Sequence, residues 1–124
     1  MTQKMEMRKL SPHFVNKEFA CRCCGNAIMP PAELIYLLET IREHFGRSVK
    51  IHSGYRCATH NRAVGGAARS KHLLGVAADI SVSRVKPEIV AEYCEALMLD
   101  RGGIGRYSKF THLDVRKEKA RWNG

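Results

Sequence analysis

The sequence predicts an α+β fold in which helices pack against a small antiparallel sheet. Two segments repeat apolar residues at helical spacing, and several short apolar segments of strand character lie between and after them. Their order is helix, strand, loop, strand, helix, strand, strand, which suits helices laid on a sheet rather than a regular α/β alternation.

Residues 11–29 are turn-forming and cysteine-rich with little periodicity, so residues 1–29 read as an irregular N-terminal lead packed over a core at 30–122. From Pro31 to Phe45, Leu34, Leu37, Leu38, Ile41 and Phe45 recur with helical period, proline occupies the first turn and Gly46 follows the end. Val49-Lys50-Ile51-His52 alternates as a half-buried strand does and runs into Ser53-Gly54-Tyr55-Arg56. Between Cys57 and Lys71, Gly65-Gly66 and many small residues without a period predict a long ordered loop, the kind of segment that carries sites. Gly75 to Ser81 reads as a short buried strand. Lys86 to Asp100 reads as a second helix, with Pro87 at its start, an apolar face of Ile89, Val90, Tyr93 and Leu97, and Gly102-Gly103 breaking it. Ile104–Tyr107 and Phe110–Val115 complete the prediction as strands joined by a tight turn at Ser108-Lys109.

The 124 residues fit one domain over 1–124, and 44% hydrophobic with 27% charged residues is the composition of an ordinary globular protein, neither disordered nor membrane-spanning. A formal net charge of +9 draws polyanions such as nucleic acid, anionic lipid or an acidic wall polymer without choosing among them. A stacking-aromatic and Lys/Arg stripe for nucleic acid is not evident, so no specific nucleic-acid partner is expected. No apolar run serves as a signal-peptide core or membrane span, so synthesis in the cytoplasm is expected, with release or export by another agent if the substrate lies outside. The protein is expected to act as a monomer.

The chemistry concentrates in Ser70-Lys-His72-Leu-Leu-Gly75-Val-Ala-Ala-Asp79 and, far downstream, Thr111-His112-Leu-Asp114. A catalytic zinc takes three protein ligands from His, Asp, Glu and Cys and leaves a further position open, and two histidines with one aspartate satisfy that rule. Small residues between His72 and Asp79 let the backbone pass close to a metal. His112 and Asp114 are two apart on a strand and share a face, so one can bind metal while the other stands beside it as general base or as its partner.

The string Ser53-Gly-Tyr-Arg56-Cys-x-x-His60-Asn61-x-x-Val64-Gly65-Gly66-Ala, then Ser-x-His-x-x-Gly-x-Ala-x-Asp, then His-x-Asp, resembles the zinc D-alanyl-D-alanine carboxypeptidases. Their relatives include phage L-alanyl-D-glutamate endopeptidases and the hedgehog-type metal domain. The resemblance runs over roughly residues 11–122 and implies a hedgehog/DD-peptidase-like fold and hydrolysis of peptidoglycan peptides with zinc as cofactor. It implies zinc ligation by His72, Asp79 and His112, with Arg56 and Ser70 lining the substrate cleft. Arg56 would hold a substrate carboxylate or stabilise charge on the attacked carbonyl. Many relatives carry an acidic residue three positions before the last zinc histidine, or a histidine two before it; here those positions hold Lys109 and Phe110. Asp114 is therefore expected to take over proton transfer; the other possibilities are weak activity without a base, or a zinc-binding module that recognises wall peptide or a protein partner.

The five cysteines cannot all pair within the chain. Cys21-Arg-Cys23-Cys24 with Cys57-Ala-Thr-His60 has the spacing of a structural metal site formed by Cys21, Cys24, Cys57 and His60, while a disulfide from Cys57 to one of the first three is the rival. Cys94 reads as a small buried hydrophobe.

Overall fold

A computed structural model describes residues 6–124, so the first five residues of the N-terminal lead lie outside the described residues. The lead is more ordered than its composition suggests. Strands β1 (Lys9–Ser11) and β2 (Phe14–Val15) form a small antiparallel hairpin, followed by a single 3-10 turn at Asn16–Phe19. Phe14, Phe19 and Cys21 are buried, so the lead does pack over the body.

Helix α1 spans Ala32–Phe45 and buries Leu34, Leu38 and Ile41, the stripe expected from its period. Full burial of each such side chain contributes roughly 1.5–3 kcal/mol, so packing rather than propensity holds the helix in place. It stops at Gly46, whose φ of +62° is the left-handed conformation that closes a helix C-terminus. Helix α3 (its number counts the short helix below) spans Pro87–Met98 and buries Val90, Ala91, Cys94 and Met98.

Five strands make the main sheet: β3 (Val49–Ser53), β4 (Ala77–Val82), β5 (Gly103–Arg106), β6 (Thr111–Asp114) and β7 (Ala120–Asn123), in the order β3-β4-β6-β5-β7. All neighbours are antiparallel except β5 and β7, which run parallel. The fold is α+β, as the pattern of elements predicted. Two expectations need correction. The segment from Cys57 to Lys71 is not loop throughout, because Ala58–Ala63 forms a six-residue helix α2. And the tail after β6, which carried no predicted element, returns as the edge strand β7.

The period-two rule divides the sheet into two working faces. Ala78, Ile80 and Val82 of β4, Ile104 of β5 and Leu113 of β6 join the core with α1 and α3. The alternate residues point away from that core. Register aligns Ser53 with Asp79, Asp79 with His112, His112 with Gly105 and Gly105 with Trp122, so one row crosses all five strands. The next row places Ala77 beside Asp114 and Asp114 beside Gly103.

Candidate metal centre

The row through Asp79 and His112 is completed by His72, delivered from outside the sheet. His72 lies in a 3-10 turn at Lys71–Leu74 whose first amide bonds are satisfied by Ser70, the Ser70 Oγ accepting from the His72 amide at 3.2 Å. The turn closes at Gly75 with φ +71°, and the chain enters β4 directly. The His72 carbonyl accepts from the Arg56 amide at 3.0 Å, which fastens the turn to the end of β3.

The ring of His72 is oriented by a backbone carbonyl. Its Nδ1 lies 2.7 Å from Gly54 O. A carbonyl can only accept, so Nδ1 carries a proton, and Nε2 is the nitrogen turned to Asp79, 3.1 Å from Oδ1. Gly54 holds this place because a Cβ there would come 2.7 Å from the Phe19 backbone. On β6 the order of nitrogens is reversed: His112 Nδ1 is 2.9 Å from Asp79 Oδ1, while Nε2 lies 2.8 Å from Asp114 Oδ2. The three side chains are 2%, 5% and 6% exposed for His72, Asp79 and His112. One donor atom of each lies within 4.8 Å of both others.

Electrostatics favours an ionised carboxylate here. Burial would raise the Asp79 acid, but the imidazoles of His112 and His72 hold it well below the usual carboxylate range. Burial alone would push His112 down, yet the carboxylates of Asp114 and Asp79 on either side raise it.

Around the three donors stands a bracing set. Arg56 donates from NH2 to Asp79 Oδ2 at 3.1 Å, from NH1 to Asn61 Oδ1 at 3.3 Å and from Nε to Ser53 Oγ at 3.1 Å. Asn61, buried in α2, also donates to Ala67 O at 2.9 Å, and Gly66 is the residue whose lack of a side chain makes room for it. Asp114 is fully buried behind His112. Arg116 grips it with two bonds of 2.8 Å, from Nε to Oδ1 and from NH2 to Oδ2, and the Gly103 amide donates to Oδ1 at 3.1 Å. These donors, Arg116 and then His112, keep the Asp114 acid well below its ordinary value although burial opposes them. Gly103 must be glycine, since a Cβ would run into the Asp114 carboxylate.

The two oxygens of Asp114 are engaged by Arg116, Gly103 and His112, and it does not line the cleft in front of the donors. Of the two roles its strand position allows, general base or partner of His112, these bonds describe the partner. Arg56 and Ser70 line the cleft.

The cleft has a volume of about 530 Å³ with His72, Asp79 and His112 at one wall. Arg69, Lys71 and Arg116 give it a cationic rim. Tyr107, Phe110 and Trp122 give it an aromatic side. Tyr107 and Phe110 stack at 4.5 Å, and Trp122 Nε1 donates to the Tyr107 hydroxyl at 2.9 Å. Sequence reasoning assigned no role to Tyr107, Trp122 or Arg116; the signal was Gly105, where a Cβ would lie 2.6 Å from the Trp122 indole. Lys109 and Phe110 fall in and beside the turn between β5 and β6. Cys21, Cys24 and Cys57 come together in a separate cluster; the His60 ring is not among its mutually close donors.

Two imidazoles and one carboxylate, each with its non-bonding side fixed by another group, are the donor set of a divalent zinc site with room for a further ligand, and the residues present fit that ion. An α+β domain that opens such a set onto a cleft defines a metallohydrolase. The comparison of the chain with protein families agrees: a model described as peptidase M15 matches residues 12–114. The chain belongs to this family of zinc-dependent peptidases. No curated protein matches it.

Proposed function

We propose that this protein is a zinc peptidase that hydrolyses the stem or cross-link peptides of bacterial peptidoglycan, with His72, Asp79 and His112 holding the ion. The observation that carries the reading is the convergence of these three donors at the wall of a cleft whose rim is cationic. Wall peptides combine D-amino acids with free carboxylates, and a rim of Arg69, Lys71 and Arg116 attracts such ligands.

When bound, zinc would supply Lewis-acid polarisation of the scissile carbonyl and activation of water. The chain's own groups do the rest. Gly54 O fixes the tautomer of His72, and Asp114, clamped by Arg116, fixes that of His112. Arg56 braces Asp79 through its bond to Oδ2, and its guanidinium, lining the cleft, would meet negative charge on a substrate carboxylate or an attacked carbonyl. Because Trp122 donates to the Tyr107 oxygen, the Tyr107 proton remains free for a substrate acceptor. Ser70 offers a hydroxyl at the cleft edge.

Among the described residues Asp79 is the one carboxylate lining the cleft, and it is occupied with both imidazoles and Arg56. That observation favours a second reading: a zinc module that binds wall peptide with little or no turnover. Muropeptides incubated with zinc-loaded protein and examined by mass spectrometry separate the two. Cleavage products that vanish with chelator and with His112→Ala support the peptidase; intact muropeptides that co-purify with the protein support the module; neither outcome removes the wall peptide as ligand.

A further inference from the structure

A second set of metal-ligating side chains lies outside the cleft. The Sγ atoms of Cys21, Cys24 and Cys57 sit within 4.8 Å of one another, although they come from segments more than thirty residues apart. Tetrahedral thiolates on one zinc are separated by about 3.8 Å, as bond lengths of about 2.3 Å require. The sulfurs are therefore already close to that spacing.

The backbone around them has the form that such a site needs. Cys21-Arg-Cys23-Cys24-Gly25 folds into a tight turn: the Gly25 amide donates to Cys21 O at 2.9 Å, the Cys21 amide to Asn26 O at 2.7 Å, and Gly25 takes φ +75°. This brings the first and fourth residues of the turn, Cys21 and Cys24, to one side. Amides then aim at sulfur. The Cys57 amide lies 3.4 Å from Cys21 Sγ, and the His60 amide 3.4 Å from Cys57 Sγ. N–H donors around sulfur stabilise thiolate, the form that binds metal. All these cysteines are free thiols.

We propose that Cys21, Cys24 and Cys57 bind a structural zinc ion that ties the N-terminal lead to the segment following β3. Cys23, between the two ligands of the lead, and His60, on the first turn of α2, are the neighbouring residues of donor type, both outside the close cluster. The ion's position gives it a task. Cys57 directly follows Arg56, which braces Asp79, and the same segment presents Gly54 O to His72. Fixing Cys57 to the lead, together with the Tyr55 amide bond to Phe19 O at 2.9 Å, stiffens the segment that orients two donors of the cleft metal. This site is independent of the reaction proposed for the cleft and stands or falls separately.

The test is metal content and cobalt spectroscopy on the full chain purified under reductant. The wild type is expected to carry about two zinc ions, one for each donor set, and His72→Ala and Cys24→Ser about one each. Cobalt-loaded His72→Ala is expected to keep an intense near-ultraviolet thiolate-to-cobalt band, and Cys24→Ser to lose it. Cobalt-loaded wild type without that band, or a non-reducing peptide map that joins Cys57 to the lead by a disulfide, would overturn the proposal, and neither observation depends on a variant folding.

Discussion

At the scale of single residues, the centre is governed by what stands behind each donor. Asp114 illustrates the point: it meets no substrate-facing space, and its effect passes through the His112 ring. Loss of such a partner commonly weakens metal binding by about 10- to 100-fold. Asp114→Asn is accordingly expected to raise the zinc dissociation constant by about that factor, with muropeptide-cleaving activity restored at saturating zinc. Activity that stays lost with the metal site full would return Asp114 to the role of proton acceptor. That His72, Asp79 and His112 belong together was legible through the resemblance of their motifs to a known family, and the strand period added that His112 and Asp114 share a face. The Arg56 bond to Asp79 was not, since those residues are 23 positions apart and meet only when β3 and β4 pair.

At the scale of elements, the N-terminal hairpin is held to α1 by a partly buried acid. Glu39 on α1 accepts from the His13 amide at 2.8 Å and meets the His13 ring at 2.7 Å. Burial would raise its pKa, but the Ser11 and His13 donors around it bring it below the ordinary carboxylate value. A depressed folded value means that the stabilisation is complete above the unfolded value of about 4.3 and is lost as pH falls through the folded one. Denaturant titrations from neutral pH down to about pH 3 are expected to show Glu39→Gln less stable at neutrality by ~1 kcal/mol and the gap closing in acid. An equal gap at every pH would mean that the carboxylate charge contributes nothing.

The same scale explains which elements sequence patterns reveal. Helices α1 and α3 bury apolar stripes, so their periods predict them to within about two residues. Helix α2 escaped because its one buried residue is Asn61, whose value lies in bracing Arg56 rather than in apolar area. Strand β7 escaped for a different reason. Its Ala-Arg-Trp-Asn sequence alternates over only four residues and holds no β-branched residue, and it pairs in parallel with β5 at the sheet edge, a non-local contact made possible by Gly105 beneath the Trp122 indole.

At the scale of the whole molecule, the sheet separates two tasks. One face packs Ala78, Ile80, Ile104 and Leu113 against the two long helices, and the other carries Asp79, His112 and Asp114. Strand register makes this division rigid, since a slip of one residue would exchange the faces. No helix among the described residues is long and apolar enough to cross a membrane. Of the basic residues behind the net charge of +9, Arg56, Arg69, Lys71 and Arg116 line the cleft.

The account depends on three side chains from the turn before β4, from β4 and from β6 closing on one ion. Zinc content per chain of the wild type and of His72→Ala, Asp79→Ala and His112→Ala, measured on folded protein after exhaustive dialysis, tests it directly. Each substitution is expected to remove about one ion. Undiminished zinc in all three variants would contradict the assignment of these residues as ligands.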